Sequence, residues 1–153
     1  MASSITITGD KEFQKRISAF DLNLKRSKKA LEQAGKYILK EVDKNFDTEG
    51  SAMGSKWQPL APSTVIGRIR MGLGGRSPIL QRKPPKLKKG FKMLELTNAI
   101  VKIGNLVSYY KYHQSTKPRR KLPRRKMLDI TKSMTTNIMK DFREFFITDT
   151  LMK

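Results

Sequence analysis

The basic charge of this chain is concentrated in its middle, which limits how that segment can fold. Residues 68–126 carry 18 basic side chains and one acid, Glu95, whereas residues 1–67 carry 11 basic and 8 acidic side chains. Residues 127–153 carry four of each sign. Because charges of one sign repel each other, such a segment resists compaction. We therefore expect it to be extended, or to face a polyanion or an acidic protein surface; a set of solvated loops is the alternative.

The length and the apolar content predict one domain with a thin core. A chain of 153 residues suits a single domain over 1–153. Apolar residues make up 37% of it, below the roughly 45–50% of an average globular chain, so help from other subunits is expected. The N-terminus, residues 1–8, has no basic region followed by an apolar run, which predicts no signal peptide. No run approaches the roughly 20 apolar residues of a membrane span. We expect the protein to be made and used in a reducing compartment, or to be assembled from there.

Residue types that carry catalysis and metal binding are scarce. The chain has no cysteine and a single histidine, which excludes thiolate chemistry and a multi-histidine site within one chain. No acid lies between Glu95 and Asp129 to orient His113, so we expect His113 to be structural and to hydrogen-bond a neighbouring loop. The glycine-rich stretch 72–76 lacks the spacing of a phosphate-binding loop. The sequence therefore predicts a protein that is not an enzyme and has no cofactor and no metal.

The N-terminal third predicts a short strand and two helices. Residues 4–8 alternate and are β-branched, and Asp10 is a suitable N-cap for the helix that comes next. Asn23 is a candidate cap for a second helix, which would end before Gly50. Apolar residues at helical spacing support these two helices: Phe13, Ile17, Phe20, Leu24, Leu31, Ala34, Ile38, Val42 and Phe46.

The C-terminal half predicts a hairpin and a last helix. Strands over 91–96 and 99–103 would be joined by a turn at Thr97-Asn98. Thr131 would cap a helix with Met134, Ile138, Phe142 and Phe145 on one face. The predicted fold class is α+β, with N-terminal helices and a C-terminal helix packed on a small antiparallel sheet.

Between these parts, residues 47–89 are rich in glycine and proline. We expect a long extended loop there, with one short helix over 64–71 that Ser63 would cap. A loop of this length is unusual in a compact domain and is commonly functional, or ordered by a partner.

Residues 115–127 form the densest basic run, and we predict that this basic loop faces a partner or DNA. Its candidate contact residues are Arg119, Arg120, Lys121, Arg124, Arg125 and Lys126. Such a run suits phosphate backbones, and the tyrosines of 109–112 could stack on the bases of a single strand. Tyrosine and arginine are also favoured in protein interfaces, and no helix-turn-helix or zinc-finger spacing is present.

An ordered set of short motifs runs through nearly the whole chain. Its members are Phe46 to Gly50, Gly54-Ser55-Lys56-Trp57-Gln58-Pro59-Leu60-Ala61-Pro62-Ser63-Thr64, Pro78-Ile79-Leu80, Ile103-Gly104-Asn105, Tyr109 to Gln114, and Pro123-Arg124-Arg125-Lys126-Met127-Leu128. In order and spacing the set resembles the phage virion morphogenesis family, the tail-completion and head–tail joining proteins of Mu-like and related tailed phages.

This resemblance implies a structural virion protein of the phage neck or tail top, which would complete the tail and join it to the head as a ring. A hexamer is expected and a dodecamer is the alternative, with adjacent neck, portal-side and tail-tube proteins as partners and with possible non-specific contact with genomic DNA. The protein would assemble in the host cytoplasm and remain in the virion. A membrane is not expected among its partners. A basic nucleic-acid-binding protein is the alternative function.

Three residues are expected to act as structural anchors. Trp57 would bury a large area, and we expect it to hold the long loop against Ile38 and Val42 rather than a neighbouring subunit. Tyr109 and His113 are the other two predicted anchors.

Overall fold

The computed structural model describes residues 11–76, 78–81, 86–117 and 122–151, and within these ranges the side chains of 26–145. The described chain contains five α-helices and a two-stranded antiparallel sheet, which confirms the α+β class. The predicted strand over 4–8 and the Asp10 cap lie outside the described residues. None of the helices in the described ranges is long and apolar enough to cross a membrane.

The two predicted N-terminal helices are one. Helix α1 runs from Lys11 to Asp47 without interruption, so the expected cap at Asn23 lies in its interior. An asparagine inside a helix costs only a fraction of a kcal/mol, about 0.7 or less, and no proline lies in this range to stop it. The C-terminal half buries a stripe at four-residue spacing: Ala30, Ala34, Ile38, Val42 and Phe46.

The predicted hairpin is present and packs closely on α1, but its second strand lies two residues later than the predicted 99–103. Strand β1, Phe91–Leu96, pairs antiparallel with β2, Val101–Asn105, with a register shift between Met93 and Glu95. The Thr97 hydroxyl accepts hydrogen bonds from the backbone N–H groups of Ala99 and Ile100 and holds the turn. A Cβ on Gly35 of α1 would lie 2.7 Å from the Met93 methyl carbon, so glycine permits this approach of helix to sheet.

The segment 47–89 is not one extended loop. It contains a 3₁₀ turn at Ser51–Met53, helix α2 at Pro62–Arg70 and helix α3 at Lys86–Lys89. Helix α2 begins with Pro62 after Ala61, and no side-chain cap is present, so the predicted cap at Ser63 is wrong. Proline suits the first helical position because its missing N–H would be unpaired there in any case.

The core is shared between α1, this segment and the C-terminal half. Four of its buried side chains come from the segment: Met53, Trp57, Ile79 and Leu87. The segment therefore supplies core volume that the apolar stripes alone would lack.

The remaining helices are α4, Tyr110–Gln114, and α5, Lys132–Leu151. The predicted cap of α5 is confirmed, because the Thr131 hydroxyl accepts a hydrogen bond from the Met134 N–H at 3.2 Å. Met134 is buried in the core and Ile138 packs against it, as the helical spacing predicted.

Candidate functional site: a clamped basic loop and an exposed arm

The C-terminal end of the basic loop is bound to the core through two backbone carbonyls, those of Lys126 and Met127. The Lys126 oxygen accepts hydrogen bonds from the Trp57 indole at 2.9 Å and from the Asn45 amide at 3.2 Å. Asn45 is fully buried; it also donates to the Met127 carbonyl at 3.2 Å and accepts from the Met53 N–H at 3.1 Å. This one side chain therefore joins α1 to two other segments, and its role was missed from the sequence.

Trp57 anchors the core as predicted. Its side chain is 4% exposed, and its ring meets that of Phe46 edge to face with centroids 5.3 Å apart. Ile38 and Val42 belong to the same buried cluster. At the base of this arrangement Gly50 has a φ of 95°, a conformation that glycine adopts without strain, and the indole lies beside it.

Arg125 was predicted to face a partner, and the structure corrects this. Its side chain is 5% exposed, and its guanidinium donates to the Gln58 carbonyl from Nε at 3.3 Å and from Nη2 at 3.1 Å. Its backbone N–H donates to the His113 carbonyl at 3.0 Å. Burial lowers the pKa of the guanidinium from its ordinary value. Arg125 therefore joins the basic loop to the segment after Trp57.

Gln114 closes the other end of the basic loop. Its side-chain oxygen accepts from the N–H groups of Met127 at 2.9 Å and Leu128 at 3.3 Å, and its amide donates to the Leu128 carbonyl at 2.5 Å. The two ends of the loop are thus held together by one side chain.

The other predicted basic residues differ in availability. Arg119, Arg120 and Lys121 lie outside the described residues. Arg124 is exposed, with its Nε donating to the Gln114 carbonyl at 3.3 Å. Lys126 is partly buried and forms an ion pair of 2.5 Å with Asp129, so its charge is locally compensated.

The two remaining predicted anchors, Tyr109 and His113, lie together at the surface. Their rings meet edge to face with centroids 6.5 Å apart, and Tyr109 is 39% exposed. The His113 backbone carbonyl accepts a hydrogen bond from the Arg125 N–H at 3.0 Å, and the predicted hydrogen bond of the His113 side chain to a neighbouring loop stays a prediction. Tyr110, next to Tyr109 in the sequence, packs on the core, and the centroid of its ring lies 5.3 Å from that of Phe91. Burial raises the pKa of the Tyr110 hydroxyl.

None of residues 61–76, which we call the arm, belongs to the core; we call the rest of the described chain the body. None of them is buried, and the arm exposes Ile66 by 52%, Ile69 by 60% and Met71 by 58%. The Arg68 guanidinium donates to the Pro78 carbonyl at 3.2 Å, which fixes α2 relative to the chain that returns to the body. We interpret this group of exposed apolar side chains as a candidate binding surface.

Within the described ranges, no three histidine, cysteine or acidic residues are grouped so that they could hold a metal ion. Comparison with protein-family models, with curated proteins and with solved structures gave no match. The function must therefore be inferred from the residues of this chain.

A pair of neighbouring substitutions tests the burial of Arg125. We expect Arg125→Ser to lower the free energy of unfolding by about 2–4 kcal/mol, because a charged donor to two carbonyls is lost and a cavity remains. Arg124→Ser removes the same charge from an exposed position and should change it by about 0.5 kcal/mol or less. Urea denaturation of both variants measures the difference. Equal stabilities would contradict the structural role of Arg125.

Proposed function

We propose that this chain is a structural subunit of a phage neck or tail top, which completes the tail and joins it to the head as a closed ring. The observation that carries the proposal is the arm: none of residues 61–76 is buried, and three of the large apolar side chains that the described chain exposes, Ile66, Ile69 and Met71, lie together in it. A subunit that works alone gains nothing from such an arm, whereas a ring subunit can bury it against a neighbour. The order of the short sequence motifs supports the same assignment.

A ring is built by repeating one contact between two different surfaces of the subunit. The arm would supply one such surface, since it contributes no buried side chain to its own core, and an exposed face of the body of the neighbouring subunit would supply the other. A hexamer fits a tail-type symmetry and a dodecamer fits a portal-type symmetry; both leave the basic loop available to adjacent layers or to DNA.

Assembled particles that contain this chain provide the test. We expect imaging to show a closed ring of it between head and tail, and one or two copies per particle, or none, would contradict the proposal. The double substitution Ile66→Glu and Ile69→Glu should leave folding intact and give unjoined heads and tails. Met139→Glu, on the exposed side of α5 at 51% exposure, is the matched control and should assemble normally.

Nucleic-acid binding is the second candidate, and one surface favours it. Beside the basic loop is a concavity of about 280 Å³ whose lining includes Tyr112, Lys117 and Arg124. Tyr112 is 40% exposed, and the Lys111 ammonium lies 5.3 Å from its ring centroid. Cations beside an exposed aromatic ring suit a single strand. A gel-shift titration over salt concentration separates the candidates, because tight binding by the unassembled subunit at physiological salt would favour this function over the ring.

A further inference from the structure

An open groove lies between the arm and the body. Its volume is about 400 Å³, within the range of roughly 300–1,000 Å³ that binding pockets occupy. The side chains that give it an apolar lining are Leu60, Met71, Leu73, Leu80, Leu87 and Tyr109. Leu87 is the floor, since it is 3% exposed and belongs to the core. The groove is therefore largely apolar, and the core residue Leu87 forms its floor.

The described residues that line this groove, together with their direct sequence neighbours, include basic but no acidic side chains. Arg68 lines the groove, and Arg70 and Lys86 are exposed sequence neighbours of the lining residues Met71 and Leu87. Between Glu49 and Asp129 the sequence contains a single acid, Glu95, which lies on the hairpin and pairs with Lys102 at 3.8 Å. The Glu49 carboxylate accepts a hydrogen bond from the Ile79 N–H at 3.0 Å. Among the described residues, none that lines the groove carries a negative charge.

We propose that this groove binds an acidic amphipathic segment of another protein, with apolar side chains in the groove and carboxylates on the surrounding cations. Apolar anchors at helical spacing suit a groove of this shape, and arginine binds carboxylates through charge-assisted hydrogen bonds. Arg68 is already held by its bond to the Pro78 carbonyl, so little of its freedom remains to be lost. A second copy of the chain fits less well, because the chain has a net charge of +20 and only 13 acidic residues to offer the basic side chains at the groove. The proposal deepens the proposed function by giving the chemistry of one partner, but it does not require a ring.

Fluorescence anisotropy with the full chain and designed peptides provides the test. The probe is a labelled helical peptide with leucines at i, i+3, i+4 and i+7 and glutamates elsewhere. One control peptide replaces the glutamates with lysines, and another keeps the glutamates but replaces the leucines with serines. We expect only the leucine–glutamate peptide to bind, and the serine control removes any general attraction between an acidic peptide and a basic protein.

Two protein variants locate the binding. Met71→Glu, in the groove, should weaken it about tenfold or more, whereas Met139→Glu, at similar exposure on α5, should change it by less than about twofold. Circular dichroism of both variants controls for folding. The proposal is overturned if the leucine–glutamate peptide does not bind, if the serine or lysine peptide binds as well, or if the two variants behave alike.

Light scattering, which measures self-association, tests whether the groove is occupied by a second copy of the chain. Self-association that Met71→Glu abolishes and that the peptide does not displace would assign the groove to a second copy, and would also overturn the proposal. Particles without a ring of this chain, combined with specific peptide binding, would remove the proposed function and leave the groove assignment standing.

Discussion

Trp57→Ala is expected to lower the free energy of unfolding by about 3–5 kcal/mol, the largest loss that we expect from a single side chain. The indole is 4% exposed, packs on Phe46 and donates to the Lys126 carbonyl. Alanine would leave a cavity between α1 and the segment after it, and would release the end of the basic loop. Urea denaturation followed by circular dichroism measures the change.

Two controls separate packing from hydrogen bonding at this position. Trp57→Phe keeps an aromatic ring but loses the N–H donor, and we expect a smaller loss of about 1–3 kcal/mol. Tyr112→Ala removes an aromatic ring that is 40% exposed and should cost much less than Trp57→Ala. If Trp57→Ala leaves the midpoint of unfolding unchanged, the indole does not anchor the core.

Asn45→Ala is expected to lower the free energy of unfolding by about 3 kcal/mol, because it leaves buried backbone groups without their partner. Asn45 is fully buried; its side-chain oxygen accepts a hydrogen bond from the Met53 N–H, and its side-chain nitrogen donates to the Lys126 and Met127 carbonyls. The loss should therefore exceed that of a single hydrogen bond.

Asn137→Ala is the matched control for this prediction. Asn137 is exposed on α5 and donates one hydrogen bond to the Tyr37 hydroxyl at 3.0 Å, so its replacement should cost about 1 kcal/mol or less. Similar losses for the two variants would contradict the central role of Asn45. The losses of Asn45→Ala and Trp57→Phe should not be additive, because both side chains donate to the same carbonyl.

Local patterns were enough to predict the hairpin, the last helix and the burial of Trp57. The cap residue Thr131 and the helical spacing of Met134 and Ile138 predict α5 from residues that are close together in the sequence. Such signals do not depend on residues that are distant in the chain. The helical spacing on both sides of Asn23 was recognised, but the single helix α1 was missed because Asn23 is a good cap in isolation and indicated the start of a second helix.

The candidate site was harder to predict, because burial within a run of like charges depends on tertiary contacts. Arg124 and Arg125 are neighbours of identical chemistry, yet the first is exposed and the second is buried. The chain is not helical there, and successive side chains point to opposite sides, so Arg125 and Met127 share the inner side. That alternation was a usable signal, because once Met127 is assigned to the core, the residue two positions earlier, Arg125, is expected on the same side of the chain. The carbonyls of Gln58 and Pro59 that receive the guanidinium come from 66 residues away or more, and no local pattern identifies them.

The bonding of the basic loop at both ends has a mechanical consequence. A partner that pulls on the loop would load Gln114 at one end and Arg125 and the Lys126 carbonyl at the other. Through Asn45 and Trp57 that tension passes directly into the C-terminal turns of α1, so these hydrogen bonds share the load and must yield together before the loop can peel away. Force applied at the charged surface would thus be borne by the longest helix of the described chain.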